Sequence, residues 1–328
     1  MRFVTAILQM TKQLEEGHRD DPHSLADRHD YQTYKADGST NTKYLYPKDP
    51  AGLRIYIKYD TLRPLKPEDI YAAAIDVIYD WADDGWDTDV PKDTGKFTKD
   101  FAGVSVGFRS IATEDPPPEG RIRYKYLILG VLHLIKEMSD NKRWVASFAI
   151  VELNRTPLGF VDFNPVGDPF RVGSNNETNV TNTVPATTSA TRDLSATKRL
   201  FDPDDHDVSV SYEVKGPSFP CVEILSTALY AMATAAQAPG DQTCQVFGGL
   251  NPSRKLQWST FVKRPSYSGY ILTYGIIRKA WRLFPQQMYK SKKCGEVSFT
   301  YEYKGDDLGG GSIWDSNLAP SPNVGTAR

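Results

Sequence analysis

Apolar and polar residues alternate strictly through Leu53-Arg-Ile-Tyr-Ile-Lys-Tyr59, which places Leu53, Ile55, Ile57 and Tyr59 on one face. This is the pattern of a half-buried strand. Beyond the break at Pro64-Leu-Lys-Pro67 the period becomes helical, with Ile70, Ala73, Ala74, Val77, Ile78 and Trp81 on one stripe. Pro67 opens that helix without losing a needed N–H, Glu68 and Asp69 complement its dipole, and Gly85 closes it. Gly95-Lys-Phe97 and Gly103–Phe108 predict a strand pair or a strand with its lead-in, Tyr126–Met138 a more buried helix, and Val145–Glu152 another strand.

From Gly167 to about Lys198 the composition shifts to Asn, Thr, Ser and Ala. Few groups there offset the entropy of ordering, so the stretch predicts a flexible linker. The first pattern then returns. Val208–Val214 alternates as a strand, and Cys221 to about Ala238 reads as a helix stopped by Pro239-Gly240. Cys244–Phe247 and Leu256–Val262 read as strands, Tyr270–Phe284 as a helix stopped at Pro285, and Val297–Tyr303 as the closing strand.

The two passages share an element order at an offset of roughly 150 residues, a domain-scale duplication rather than a short solenoid period. Glu152 to Leu158-Gly159 and Glu302 to Leu308-Gly309 match at equal spacings, and Tyr126–Gly130 is similar to Tyr270–Gly275. Strand–helix–strand–strand–helix–strand is the split βαβ, or ferredoxin-like, arrangement. The expected fold class is therefore α+β: two tandem split βαβ modules, with antiparallel sheets and helices on one face. The expected domains are a polar extension 1–50, a first module 51–166, a linker 167–206, a second module 207–315 and a tail 316–328.

This element order, with Leu272-Thr-Tyr-Gly275 and the two Leu-Gly tails, resembles a loosely defined set of uncharacterised ascomycete fungal proteins built from strand–helix modules. The resemblance covers both modules and implies no activity.

Composition narrows the classes. The chain has 328 residues, with 39 Lys+Arg against 41 Asp+Glu and a formal net charge of -2. General polyanion binding needs clustered positive charge, so nucleic acid is not the expected partner. Three cysteines are too few for a disulfide scaffold or an all-cysteine zinc site. No apolar run reaches the roughly 20 residues needed to cross a bilayer. The start Met1–Leu8 has a basic residue and an apolar onset, but Gln9 and Lys12 cut it short of a secretory leader. The chain is thus expected to be secreted if a leader is missing and cytoplasmic otherwise. Asn154, Asn176 and Asn179 head the glycosylation sequons that secretion would expose.

Candidate chemistry is sparse. His18, His23 and His29 lie among Asp residues, but their spacing matches no common zinc site. His133 lies in an apolar helix and His206 in the acidic loop Asp202–Asp207. A packed or surface-edge residue and a solvated loop are the readings that these contexts favour. Gly248-Gly249 and Gly309-Gly-Gly-Ser312 lack phosphate-binding patterns and read as turns. The nucleophile elbow and the His-Glu-x-x-His motif are absent, and no cofactor or metal is expected. Tyr56, Phe299, Tyr301 and Tyr303, with Lys255, Lys263 and Arg264, would suit a base-stacking sheet. Their two-residue spacing equally fits a core face. Arg278, Lys279, Arg282, Lys290, Lys292 and Lys293 form the most basic stretch, either an anion-contacting surface or an ordinary helix C-terminus.

All three cysteines fall in the second module. In a split βαβ unit the helix after the first strand and the start of the last strand share one end of the sheet. That brings Cys221 and Cys294 together and sends Cys244 to the opposite end; three buried thiols are the alternative. Two functions remain from this reading. One is a non-enzymatic binding or interaction protein for a protein or small-molecule ligand. The other is an enzyme with its site in the cleft between modules.

Overall fold

A computed structural model describes residues 43–44, 47–91, 96–110, 121–167, 197–244, 246–263 and 269–317. The first half runs β1 (Lys43–Tyr44), β2 (Leu53–Pro64), α1 (Pro67–Asp84), β3 (Lys96–Phe101), β4 (Val104–Ser110), α2 (Tyr124–Asp140), β5 (Val145–Leu153) and β6 (Thr156–Pro165). The second runs β7 (Lys198–Phe201), β8 (Val208–Ser218), α3 (Cys221–Ala235), β9 (Phe247–Leu250), β10 (Leu256–Val262), α4 (Tyr274–Ser291), β11 (Gly295–Tyr303) and β12 (Asp306–Asp315). The class is α+β.

One sheet has the order β2-β5-β6-β4-β3, the other β1-β9-β10-β12-β11-β8-β7. Without β1 and β7, the second repeats the first strand for strand. Every pairing is antiparallel except that of β1 with β9.

This order differs from that expected of a split βαβ sheet. Each half has a fifth strand, β6 or β12, that takes the place between the third and fourth strands, and the first strand moves outside the fourth. A two-residue turn causes the change. Asn154 and Arg155 have φ of 51° and 68°, Lys304 and Gly305 of 51° and 87°, so both hairpins close tightly on the preceding strand. The glycine run is therefore a correction: Gly309–Gly311 lies inside β12, and Gly248-Gly249 inside β9. A Cβ at Gly311 would collide with the Ser259 carbonyl oxygen and the Phe299 ring. Glycine here lets core aromatics lie flat on the sheet.

Three further differences concern boundaries. β7 falls within the span expected to be linker, yet Lys198–Phe201 pairs with Ser209–Tyr212. β1 falls within the expected extension and pairs with Phe247 and Gly248. Pro285 does not end α4, which runs on to Ser291. An internal proline costs on the order of 3 kcal/mol, but the turn beyond it buries Met288 completely.

The helices cover one face of each sheet and meet one another. α1 lies on β3 and β4 with one side and against α3 and α4 with the other, so Ile70–Tyr79 is buried throughout. The second half centres on an aromatic stack in which Trp281 touches Trp258, Phe284 and Phe299 at 5.1–5.5 Å between centroids. Such edge-on and tilted contacts add to the area that large rings bury. No described helix is long and apolar enough to cross a membrane.

Candidate functional site

The most charged place in the core is the junction of the halves. Asp76 of α1 is 3% exposed and faces two cations: Lys99 Nζ stands 2.7 Å from Oδ2, and Arg282 Nε donates to Oδ1 at 2.7 Å. Lys99 also reaches Asp80 at 2.5 Å. The Arg282 guanidinium lies 4.5 Å from the centre of the Tyr79 ring and 3.5 Å from Asp204. One helical turn away, Arg278 Nη1 donates to the Ala82 carbonyl at 2.6 Å, and Nη2 lies 3.3 Å from Asp83. Burial pushes the Asp80 carboxyl up against the pull of Lys99. It does the same to Asp202 against Lys279. Cations and carboxylates here answer one another, so the chemistry available is that of a lock between the halves.

A concave site lies elsewhere, where α4 and β8 begin and β11 ends. Val208, Tyr270, Ile271, Thr273, Ile276 and Tyr303 line a cavity of about 320 Å³, with Lys279 and Asp205 at its edge. This volume is at the lower end of small-ligand pockets. Tyr270 and Tyr303 meet edge to face at 5.0 Å between centroids. Lys304 Nζ sits 5.7 Å and 5.4 Å from those two centroids, and the tyrosines raise its pKa, with Asp207 adding to them. Ile271 is 45% exposed, so the apolar lining opens to solvent. Lys279 Nζ donates to Asp205 at 2.7 Å, and this contact holds the Asp205 carboxyl low. The Thr273 hydroxyl accepts from the Ile276 N–H at 3.5 Å, while the Tyr274 and Gly275 N–H groups bond to Gln242 and Gly240 carbonyls. The helix start is thereby closed to anions, and the pocket offers ring faces and aliphatic surface. On the outer face of the smaller sheet, Arg109, Phe160 and Asp162 line a crevice of only about 10 Å³.

The residues singled out in the sequence scatter. Cys221 and Cys294 form a disulfide with Cα atoms 5.1 Å apart. The pairing follows because β11 lies directly beside β8, a neighbour relation that the changed strand order keeps. Cys244 is a buried thiol outside the disulfide, pushed up to about 12 by desolvation. His133 Nε2 sits 2.9 Å from Asp49 at the surface, and His206 is exposed. Asn154 is exposed in the β5–β6 turn. His18, His23, His29, Asn176, Asn179 and Arg264 lie outside the described residues.

Phe299 and Tyr301 are core residues under the helices, Tyr56 is half-buried on the opposite face of the other sheet, and Tyr303 lines the pocket. These four do not form one base-stacking surface. Lys255 pairs with Glu223 at 2.8 Å and Lys263 with Asp307 at 2.9 Å. The basic stretch divides: Arg278, Lys279 and Arg282 pair with Asp83, Asp205 and Asp76, while Lys290 and Lys292 lie at the C-terminus of α4, as the second of the two readings has it. Among the described residues, no group of three or more His, Cys, Asp or Glu is placed to hold a metal ion. Sequence reasoning missed the pocket because its lining comes from β8, β11 and the lead-in to α4. The one local signal was the apolar Tyr270-Ile271 pair before the helix. No protein-family model, curated protein or solved structure matches the chain.

Proposed function

We propose that this is a non-enzymatic binding protein made of two duplicated α+β modules, with its ligand site in the pocket beside Tyr270 and Tyr303. The observation that carries the reading is the lining. Two tyrosine rings and three aliphatic side chains surround about 320 Å³, and the charged pair at its edge is closed on itself. Such a surface binds through desolvation and ring contact. Among its described lining residues, Lys279 and Asp205 are engaged with each other, so the amine is held as an ammonium rather than as the nucleophile covalent chemistry would need. An enzyme acting between the modules would have to use the Asp76–Lys99–Arg282 junction, whose groups are engaged in ion pairs. The matching strand orders of the two halves support the duplication.

The test uses 8-anilinonaphthalene-1-sulfonate, a small aromatic probe whose fluorescence rises on apolar contact. The full chain should bind it saturably, and Tyr270→Ala and Tyr303→Ala should each weaken binding about tenfold, the loss of one ring's contact. Binding that neither substitution alters would refute the site.

A further inference from the structure

The edges of the two sheets are treated differently. In the larger sheet, β8 is covered by β7 and β9 by β1. In the smaller one, the counterparts β2 and β3 each have one neighbour among the described residues. β2 is 12 residues long and rich in β-formers. An edge of this kind is a ready template for another strand.

The covered edge tells what the open one lacks. β7 places Arg199 opposite Ser211. From there Arg199 Nη2 reaches Glu302 Oε2 at 2.5 Å, and Nε donates to the Ser209 hydroxyl at 3.1 Å. Ser209 donates to Glu302 Oε2 at 3.3 Å, and Ser211 to Oε1. Glu152 is the counterpart of Glu302, since each follows the same register shift, after Val151 and Tyr301. Its Oε1 is buried and has no hydrogen-bond partner. Leaving a buried carboxylate oxygen unpaired costs roughly 1–3 kcal/mol.

We propose that β2 pairs antiparallel with β2 of a second copy of this chain, joining two five-stranded sheets across a two-fold axis at Ile57. The register follows from the side chains. Opposing Ile57 to itself sets Lys58 of the second copy against Tyr56, the position that Arg199 holds against Ser211. Glu152 already faces Arg54 across β5 and β2, where Glu302 faces Ser209, and Lys58 of the second copy is thereby its second cation. The same register sets Asp60 of the second copy against Arg54 and Tyr59 against Ile55, so opposite charges meet on one face and apolar groups on the other. Because the axis is perpendicular to the sheet, every contact occurs twice and the helices stay on one side. A register centred on Tyr56 would set Arg54 against Lys58, two like charges.

Sedimentation equilibrium of the full chain should show a dimer. Lys58→Glu and Glu152→Lys should each raise its dissociation constant at least about tenfold, and the double substitution should restore it. Circular dichroism checks that each variant is folded. Independently, Ile57→Cys should give a disulfide-linked dimer on mild oxidation, while Thr98→Cys on β3 should not. A chain that sediments as a monomer up to its solubility limit overturns the proposal. So does a dimer that neither Lys58→Glu weakens nor Ile57→Cys crosslinks.

Discussion

Arg278 Nη1 in the second half donates a 2.6 Å hydrogen bond to the carbonyl oxygen of Ala82 in the first. Ala82 lies in the last turn of α1, at the negative end of the helix dipole. Its carbonyl already accepts the Gly85 N–H at 3.3 Å, and the guanidinium adds a second, charged donor there. Arg278 is 2% exposed, so burial lowers its pKa, with Asp83 opposing. A side chain of one half thus binds the end of a helix in the other.

Replacing this arginine should therefore be costly. Arg278→Ala is expected to lower stability by about 2–3 kcal/mol in urea denaturation, through a lost charged hydrogen bond and a cavity. Arg278→Met, which refills the space, should cost less. A loss under about 0.5 kcal/mol for the alanine variant, the scale of an ordinary surface change, would contradict this role.

Asp76 is the more sensitive member of the junction because it answers two cations. Asp76→Ala takes from Lys99 and Arg282 the carboxylate they share, leaving each with a more exposed one, Asp80 and Asp204, and should cost about 3 kcal/mol. Arg282→Ala should cost less, since Lys99 still neutralises Asp76. Denaturation of the single and double variants should show coupling; additive losses would mean the groups act independently.

The cysteines give a chemical readout. Ellman's reagent should find no thiol in the native chain, since Cys244 is buried and its thiol is pushed up to about 12. Unfolding without reductant should expose one thiol, and prior reduction three. Cys221→Ser with Cys294→Ser should lower stability by about 4 kcal/mol in the chain-entropy model. Three thiols without reductant would contradict the bond.

The parts legible in the sequence were those set by local period or neighbour relations. β2 announced itself by alternation and α1 by its stripe, Pro67 and Gly85. The Cys221–Cys294 pairing depended on the first and fourth strands being adjacent, which survived a wrong strand order. β12 was hidden because its Gly309–Gly311 run has low strand propensity, and its place depends on Phe261 and Phe299 rings needing flat backbone. The junction was illegible for another reason. Asp76 and Arg282 are 206 residues apart, and only the meeting of two helical layers relates them. The basic stretch of α4 therefore looked like surface. The pocket lining, too, comes together only when α4, β8 and β11 are in place.

Acid should reveal Glu223. Burial raises its pKa, but hydrogen bonds from Lys255, Ser253 and Asn251 bring it below the usual glutamate value. A lowered folded-state pKa means the stabilisation is complete above the unfolded value of about 4.3. It is lost as pH falls through the folded value. Glu223→Gln should cost about 1 kcal/mol at pH 7, with the difference shrinking by pH 3. A difference that grows in acid would contradict this sign.

The binding reading is tested most directly by a crystal structure of the full chain with 8-anilinonaphthalene-1-sulfonate bound. The account predicts the naphthalene ring between Tyr270, Tyr303 and Ile271, in the cavity of about 320 Å³ at the start of α4. Probe bound at another surface while this pocket stays empty would contradict it.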